Sequence, residues 1–162
     1  DRSLTLGDAL AALGDVDAPL RSRFGRLSRP KQTGEFALWN QSAMFADMHN
    51  CVLDDRREVG SVSDWESAGE RLAQVAASIP SVSPLIDAEL KHSLSVADFA
   101  VRRAVGRRQP GGLSSNIKAD LAVNLKAIMT EHVRLWHLRS RPGGLDHSLS
   151  FYQKVLDQLT VQ

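Results

Sequence analysis

The sequence predicts an all-α protein, an antiparallel helical bundle of about six to seven helices joined by short Gly- and Pro-containing loops. Three observations carry that expectation. Apolar residues recur at steps of three and four over most of the chain. Capping and breaking residues fall at the ends of those patterns. No stretch alternates strictly, with β-branched enrichment, for long enough to make a strand.

Residues 4–13 form a short apolar pattern that Gly14 is expected to stop. Pro19 can open a second helix in its first turn, because the amide it lacks would have no intrahelical partner there. That helix runs through Leu20, Phe24 and Leu27 to the break at Arg29-Pro30. Over residues 35–53, one row of Leu38, Phe45 and Val52 and a second of Phe36, Trp39, Ala43 and Ala46 make a broad apolar stripe. Asp64 is expected to cap the next helix, which continues through Leu72, Val75, Ala76 and Ile79 to Pro80.

Ser83 before Pro84 pairs a capping oxygen with the residue best tolerated in the first turn. The seam that follows is Leu90, Leu94, Ala97, Val101 and Ala104, ended by Gly106 and the Pro110-Gly111-Gly112 triplet. Ser114 or Ser115 starts another helix, with Ile117, Leu121, Leu125, Ile128, His132 and Leu135 on its inner side, running into Trp136. The last helix follows Asp146 and turns Leu149, Tyr152, Val155, Leu156 and Leu159 inward. The two Pro-Gly-Gly-Leu segments at 110–113 and 142–145 are expected to be one turn solution used twice.

A length of 162 residues suits one ordinary domain, and residues 1–162 are expected to form a single helical domain. No apolar run approaches the roughly 20 residues of a membrane span. With 20 basic against 19 acidic side chains the net charge is +1, so no overall field attracts nucleic acid or anionic lipid. The Arg-over-Lys bias among the basic residues is read as the composition of a GC-rich bacterial genome. The chain begins at Asp1, as expected of a processed protein or a piece of a longer one. The lone Cys51 reads as a small buried hydrophobe.

Few side chains suggest chemistry. His132 and His137 are five apart and leave a helix on different faces, whereas helical metal ligands sit three or four apart; Asp47 and His49 fail the same test. No metal or cofactor is expected. A Ser/His/Asp set can assemble across a fold, but no G-x-S-x-G turn is present to carry one. Arg21, Arg23, Arg26, Arg29 and Lys31 read either as a phosphate-binding stretch or as the solvated face of a short helix. Trp136 with Arg139 and Arg141 reads either as a sugar-stacking platform or as a core aromatic beside two arginines that cap helix-end carbonyls. Gly143 and Gly144 supply the backbone freedom needed for the stop.

The run Glu131-His132-Val133-Arg134-Leu135-Trp136, continued by Arg139-Ser140-Arg141-Pro142-Gly143-Gly144-Leu145-Asp146-His147-Ser148, carries a family resemblance. It is similar to the closing segment of bacterial family 20 glycoside hydrolases, the β-N-acetylhexosaminidases, which end in E-H-x-x-L-W-x-x-R-x-R-P-G-G-L-x-x-S. Ser140 stands where that pattern has asparagine. Residues 10–16 and the stretch at 38–45 that contains Trp39 resemble the helices following the catalytic barrel of those enzymes, while 55–110 resemble nothing comparable. The resemblance implies hydrolysis of terminal N-acetylhexosamine by a neighbouring Asp-Glu pair on a (β/α)₈ barrel of about 250 residues. This chain has no Asp-Glu dipeptide and no strands for a barrel. The resemblance therefore implies a non-catalytic C-terminal helical domain whose partner is the enzyme's catalytic domain, with no catalytic residue of its own. A free-standing helical interaction module is the alternative. Far-UV circular dichroism should be dominated by helix, and a strand-dominated spectrum would overturn the fold class.

Overall fold

The computed structural model describes residues 5–20, 44, 47–48, 60–139 and 143–160. Over these residues the protein is all-α, with no strand. The helices are α1 (Leu6–Asp15), α2 (Val62–Ser78), α3 (Pro84–Arg108), α4 (Ser115–Arg139) and α5 (Leu145–Thr160). The expected second and third segments fall mostly outside the described residues, although 18–20, Met44, Asp47 and Met48 are helical. Phe24, Trp39, His49 and Cys51 lie outside them, as does the basic stretch from Arg21 to Lys31. The chain packs as two compact units, Asp1–Pro80 and Ser81–Gln162.

In the first unit, α1 starts at a capping box. Thr5 Oγ1 accepts from the Asp8 amide at 3.1 Å, and the Thr5 amide donates to Asp8 Oδ2 at 3.2 Å. The Thr5 hydroxyl, which also donates to Asp8 Oδ2 at 2.6 Å, and the Thr5 amide hold the Asp8 carboxyl below its ordinary range. Gly14 does not stop this helix, which continues through it to Asp15 and closes at Val16. A single helical glycine costs only about 1 kcal/mol relative to alanine, and a side chain from α2 supports the end instead. Arg71 Nε donates to the Val16 carbonyl at 2.9 Å, supplying a donor where the intrahelical ladder has run out.

The start of α2 also departs from expectation. Ser61 is the N-cap, not Asp64; Asp64 sits at the third position and completes the box by accepting from the Ser61 amide at 2.7 Å. Both residue types serve as caps, so spacing alone does not decide which one does. Just before it, Gly60 adopts φ 87°. A Cβ there would stand 2.7 Å from Leu20 Cδ2 and 3.1 Å from Trp65 Nε1. The chain can thus press onto the fully buried indole of Trp65 only through a residue without a side chain. Val16, Leu20, Met44, Met48, Ala68 and Leu72 are buried in the same unit, with two buried carboxylates, Asp17 and Asp47. Asp17 Oδ2 accepts from the Met44 amide at 3.3 Å.

The second unit is a three-helix bundle in which α4 packs antiparallel to both α3 and α5. Ser83 caps α3 and Pro84 opens it, as the sequence indicates. Asp87 reinforces this start, accepting from the Ser81 hydroxyl at 2.6 Å and the Val82 amide at 2.8 Å. Gly106 does not end α3; the helix reaches Arg108. Gly106 is buried because the following loop folds back over it, and an added Cβ would lie 2.7 Å from Leu113 Cδ2. The core is Leu90, Phe99, Ala100, Val101 and Ala104 from α3, Leu121, Leu125, Ile128 and Leu135 from α4, and Leu145, Val155, Leu156 and Leu159 from α5. Ile117, expected at the head of the α4 seam, is 38% exposed. It lies in the first turn, beside the loop and beyond the buried layer.

The two Gly-Gly turns differ. Gly111 and Gly112 are both left-handed, at φ 87° and 69°, whereas in the second turn Gly144 at 89° is left-handed and Gly143 is not. The last helix begins at Leu145, with Asp146 already in its first turn.

Urea unfolding should rank the substitutions in the first unit by mechanism. Trp65→Ala should cost about 3–5 kcal/mol as a buried aromatic truncation. Gly60→Ala should cost at least about 1 kcal/mol from its positive φ, and Ser61→Ala about 1 kcal/mol from the lost cap. An unchanged midpoint in Gly60→Ala would contradict the close approach described.

Candidate functional site

Polar side chains from all three helices of the second unit converge on His132. This residue lies on the inner side of α4, among positions otherwise filled by aliphatic side chains. Its Nδ1 is 3.3 Å from Nε2 of His92 on α3, and its Nε2 is 2.9 Å from Oγ of Ser148 on α5. Around it the rings of His92, Trp136 and Tyr152 stand at centroid separations of 5.4, 5.6 and 5.3 Å, all tilted. The imidazole therefore forms both hydrogen bonds its ring permits while packing against aromatic edges.

The buried surroundings select the tautomers. His92 Nδ1 is buried with no hydrogen-bond partner. A buried N–H without an acceptor is the costlier and rarer orphan, so the His92 proton belongs on Nε2, donating to His132 Nδ1. His132 is then protonated on Nε2 and donates to the Ser148 hydroxyl oxygen. The connectivity Ser148–His132–His92 matches that of a nucleophile, base and orienting group, but the direction is reversed: the ring nitrogen facing the serine carries a proton and cannot accept one. In that tautomer the contact links α3, α4 and α5.

Electrostatics agree with a pair held neutral. Burial pushes His92 below the ordinary histidine range, the nearby His132 adds to that, and the Glu131 carboxylate partly opposes it. Burial lowers His132 in the same direction and raises the Tyr152 hydroxyl. Glu131 is engaged by Arg134 through two bonds of 2.7 Å, which keep its carboxyl below the usual range. No group of three or more His, Cys, Asp or Glu among the described residues is placed to hold a metal ion.

The sequence-derived candidates are distributed around this centre. Trp136, one turn beyond His132, is half-buried. Its ring covers the left-handed Gly144, with Cζ2 3.5 Å from the point where a Cβ on that glycine would stand. Gly143 is exposed, and a Cβ there would meet nothing within 4 Å. Arg139 does not cap the carbonyls at the end of its own helix. Its Nε and Nη2 grip both carboxylate oxygens of Glu89 on α3, at 2.6 and 2.8 Å. The guanidinium reaches across because a charged bidentate acceptor outcompetes a single carbonyl, and the pairing lowers Glu89 and raises Arg139. Arg141 and Trp39 lie outside the described residues.

His92 and Ser148 as hydrogen-bond partners of His132, and Tyr152 as a ring packed against it, are not apparent from the sequence. Each sits on a different helix or turn, and helical spacing relates positions within one helix only. Comparison with family models, curated proteins and solved structures yields no match to this chain.

Thermal or chemical unfolding of single variants should separate the junction residues. Trp136→Ala should cost about 2 kcal/mol, below the value for full burial because the ring is half-exposed. Gly144→Ala should cost about 1 kcal/mol or somewhat more, while Gly143→Ala stays within about 0.5 kcal/mol of the parent. Equal effects at the two glycines would contradict the assigned left-handed residue.

Proposed function

We propose that this chain is a non-catalytic helical accessory domain of a β-N-acetylhexosaminidase of the family 20 type, packing against a separate catalytic barrel. One observation carries the reading: positions that bear the resemblance in sequence are in mutual contact. The histidine and the final serine of the pattern, His132 and Ser148, are hydrogen-bonded at 2.9 Å. Its tryptophan, Trp136, covers its second glycine, Gly144. Its two leucines, Leu135 and Leu145, are buried on either side of the turn. A pattern with these requirements describes a helix–turn–helix junction, which is what an accessory domain needs and a catalytic centre does not.

The tautomer assigned to His132, with its proton toward Ser148, supports the non-catalytic part of the proposal.

Purified alone, the chain should release no chromophore from aryl N-acetyl-β-hexosaminides. Co-expressed with the barrel encoded upstream in its own reading frame, it should co-purify with that barrel and raise its melting temperature. An upstream frame without an Asp-Glu-bearing barrel, or turnover by this chain that one of its own substitutions abolishes, would overturn the proposal.

A further inference from the structure

The pair His92–His132 combines three features: two imidazoles joined nitrogen to nitrogen at 3.3 Å across α3 and α4, a second bond from His132 to Ser148 on α5, and a buried His92 Nδ1 without a partner. We propose that these histidines form a proton-operated latch, which ties the three helices together while the pair is neutral and loosens them when it takes up a proton.

The geometry gives the first added proton two places to go, both unfavourable. On His92 it lands on Nδ1, creating a buried N–H with no acceptor. On His132 it lands on Nδ1, where it meets the Nε2–H of His92, so two donors face each other and the link between α3 and α4 is lost. A second proton adds like charges across the same gap. Unfolded histidines meet none of these penalties.

The charged and titratable neighbours do not remove the effect. On α3, Glu89 is held by Arg139 and Lys91 is exposed. On α4, Glu131 is held by Arg134, so much of its charge is already engaged. On α5, Tyr152 is neutral throughout the relevant range and His147 packs edge-on against Phe151. Depression of the folded pair fixes the sign: its contribution to stability is present above the unfolded histidine value of about 6.5 and is lost as pH falls below it. This latch is independent of the glycosidase reading.

The test is urea unfolding of the full chain at pH 7.5 and 5.5, followed by helical circular dichroism, for the parent and for His92→Gln. The unfolding constant of the parent should rise on acidification by up to about tenfold for each of the two histidines that stays neutral in the folded protein at pH 5.5, one unit below the unfolded value. Glutamine keeps a group that can donate to His132 but does not titrate, so His92→Gln should lose the His92 share of that rise, about half of it on a logarithmic scale, while the burial of His132 keeps the rest. Parallel pH dependences in the two proteins would overturn the latch. If His92→Gln does not fold, a histidine-labelled NMR titration of the parent decides instead. Coupled titration of His92 and His132 below the ordinary histidine range supports the latch, and independent titration at the ordinary value overturns it.

Discussion

The three-helix unit depends on His132 being satisfied at both ring nitrogens. The part-buried imidazole in line with Leu125, Ile128 and Leu135 on α4 carries a donor and an acceptor partly withdrawn from water, so each is worth matching within the bundle. Its partners come from α3 and α5, so their rotation and axial position are fixed relative to α4 by hydrogen-bond length and not by apolar packing alone. Aliphatic seams tolerate sliding by a turn. A two-ended imidazole does not, because a shift of one turn carries His92 and Ser148 out of reach. The Arg139–Glu89 pair at the rim acts in the same register but is exposed, and its part is to orient rather than to stabilise.

Close approach is the second constraint, and it falls on glycines of different kinds. Gly60 and Gly144 combine a left-handed backbone with an aromatic neighbour, Trp65 in one case and Trp136 in the other. At Gly60 a Cβ would run into Leu20 and Trp65, so the position needs a residue with neither a φ penalty nor a Cβ; at Gly144 a Cβ would make an ordinary contact with Trp136, and the demand is the positive φ alone. Gly106 is helical and serves only to let Leu113 approach its backbone. Gly111 and Gly112 reverse the chain in open space. A Gly-Gly pair is therefore not one structural statement: in the first turn both residues take the reversed backbone, in the second only the residue under the indole does.

What the sequence made legible follows from how local each signal is. The all-α class and the start of α3 at Ser83-Pro84 rest on periodicity and capping within a few residues, and they agree with the structure. Helix ends at Gly14 and Gly106 were misplaced because a glycine's intrinsic cost of about 1 kcal/mol is overridden by tertiary contacts: Arg71 reaching the Val16 carbonyl, Leu113 packing on Gly106. Asp64 was mistaken for a cap because a capping box contains two competent caps three residues apart. The site was half legible. His132 stood out on the α4 seam, and Trp136 and Gly144 by the helix stop, but His92 sits 40 positions away on another helix. The Glu89 partner of Arg139 was hidden for the same reason, being 50 positions distant.

The resemblance in the closing segment has a physical content that does not depend on catalysis. A helix that carries an indole against a left-handed glycine and resumes with a buried leucine fixes the tryptophan, that glycine and that leucine. A histidine one turn before the tryptophan can reach a hydroxyl in the next helix only when the reversal has this length, which fixes the serine as well. These requirements concern the fit of α4 to α5, so the same letters recur wherever that junction is needed. Pro142 and Arg141 stand outside the described residues, and nothing in the contacts of Gly143 demands glycine. The pattern thus separates into letters set by the junction and letters set by something else. Gly143, exposed and with nothing within 4 Å of an added Cβ, belongs to the second set, because no contact at the junction asks for it.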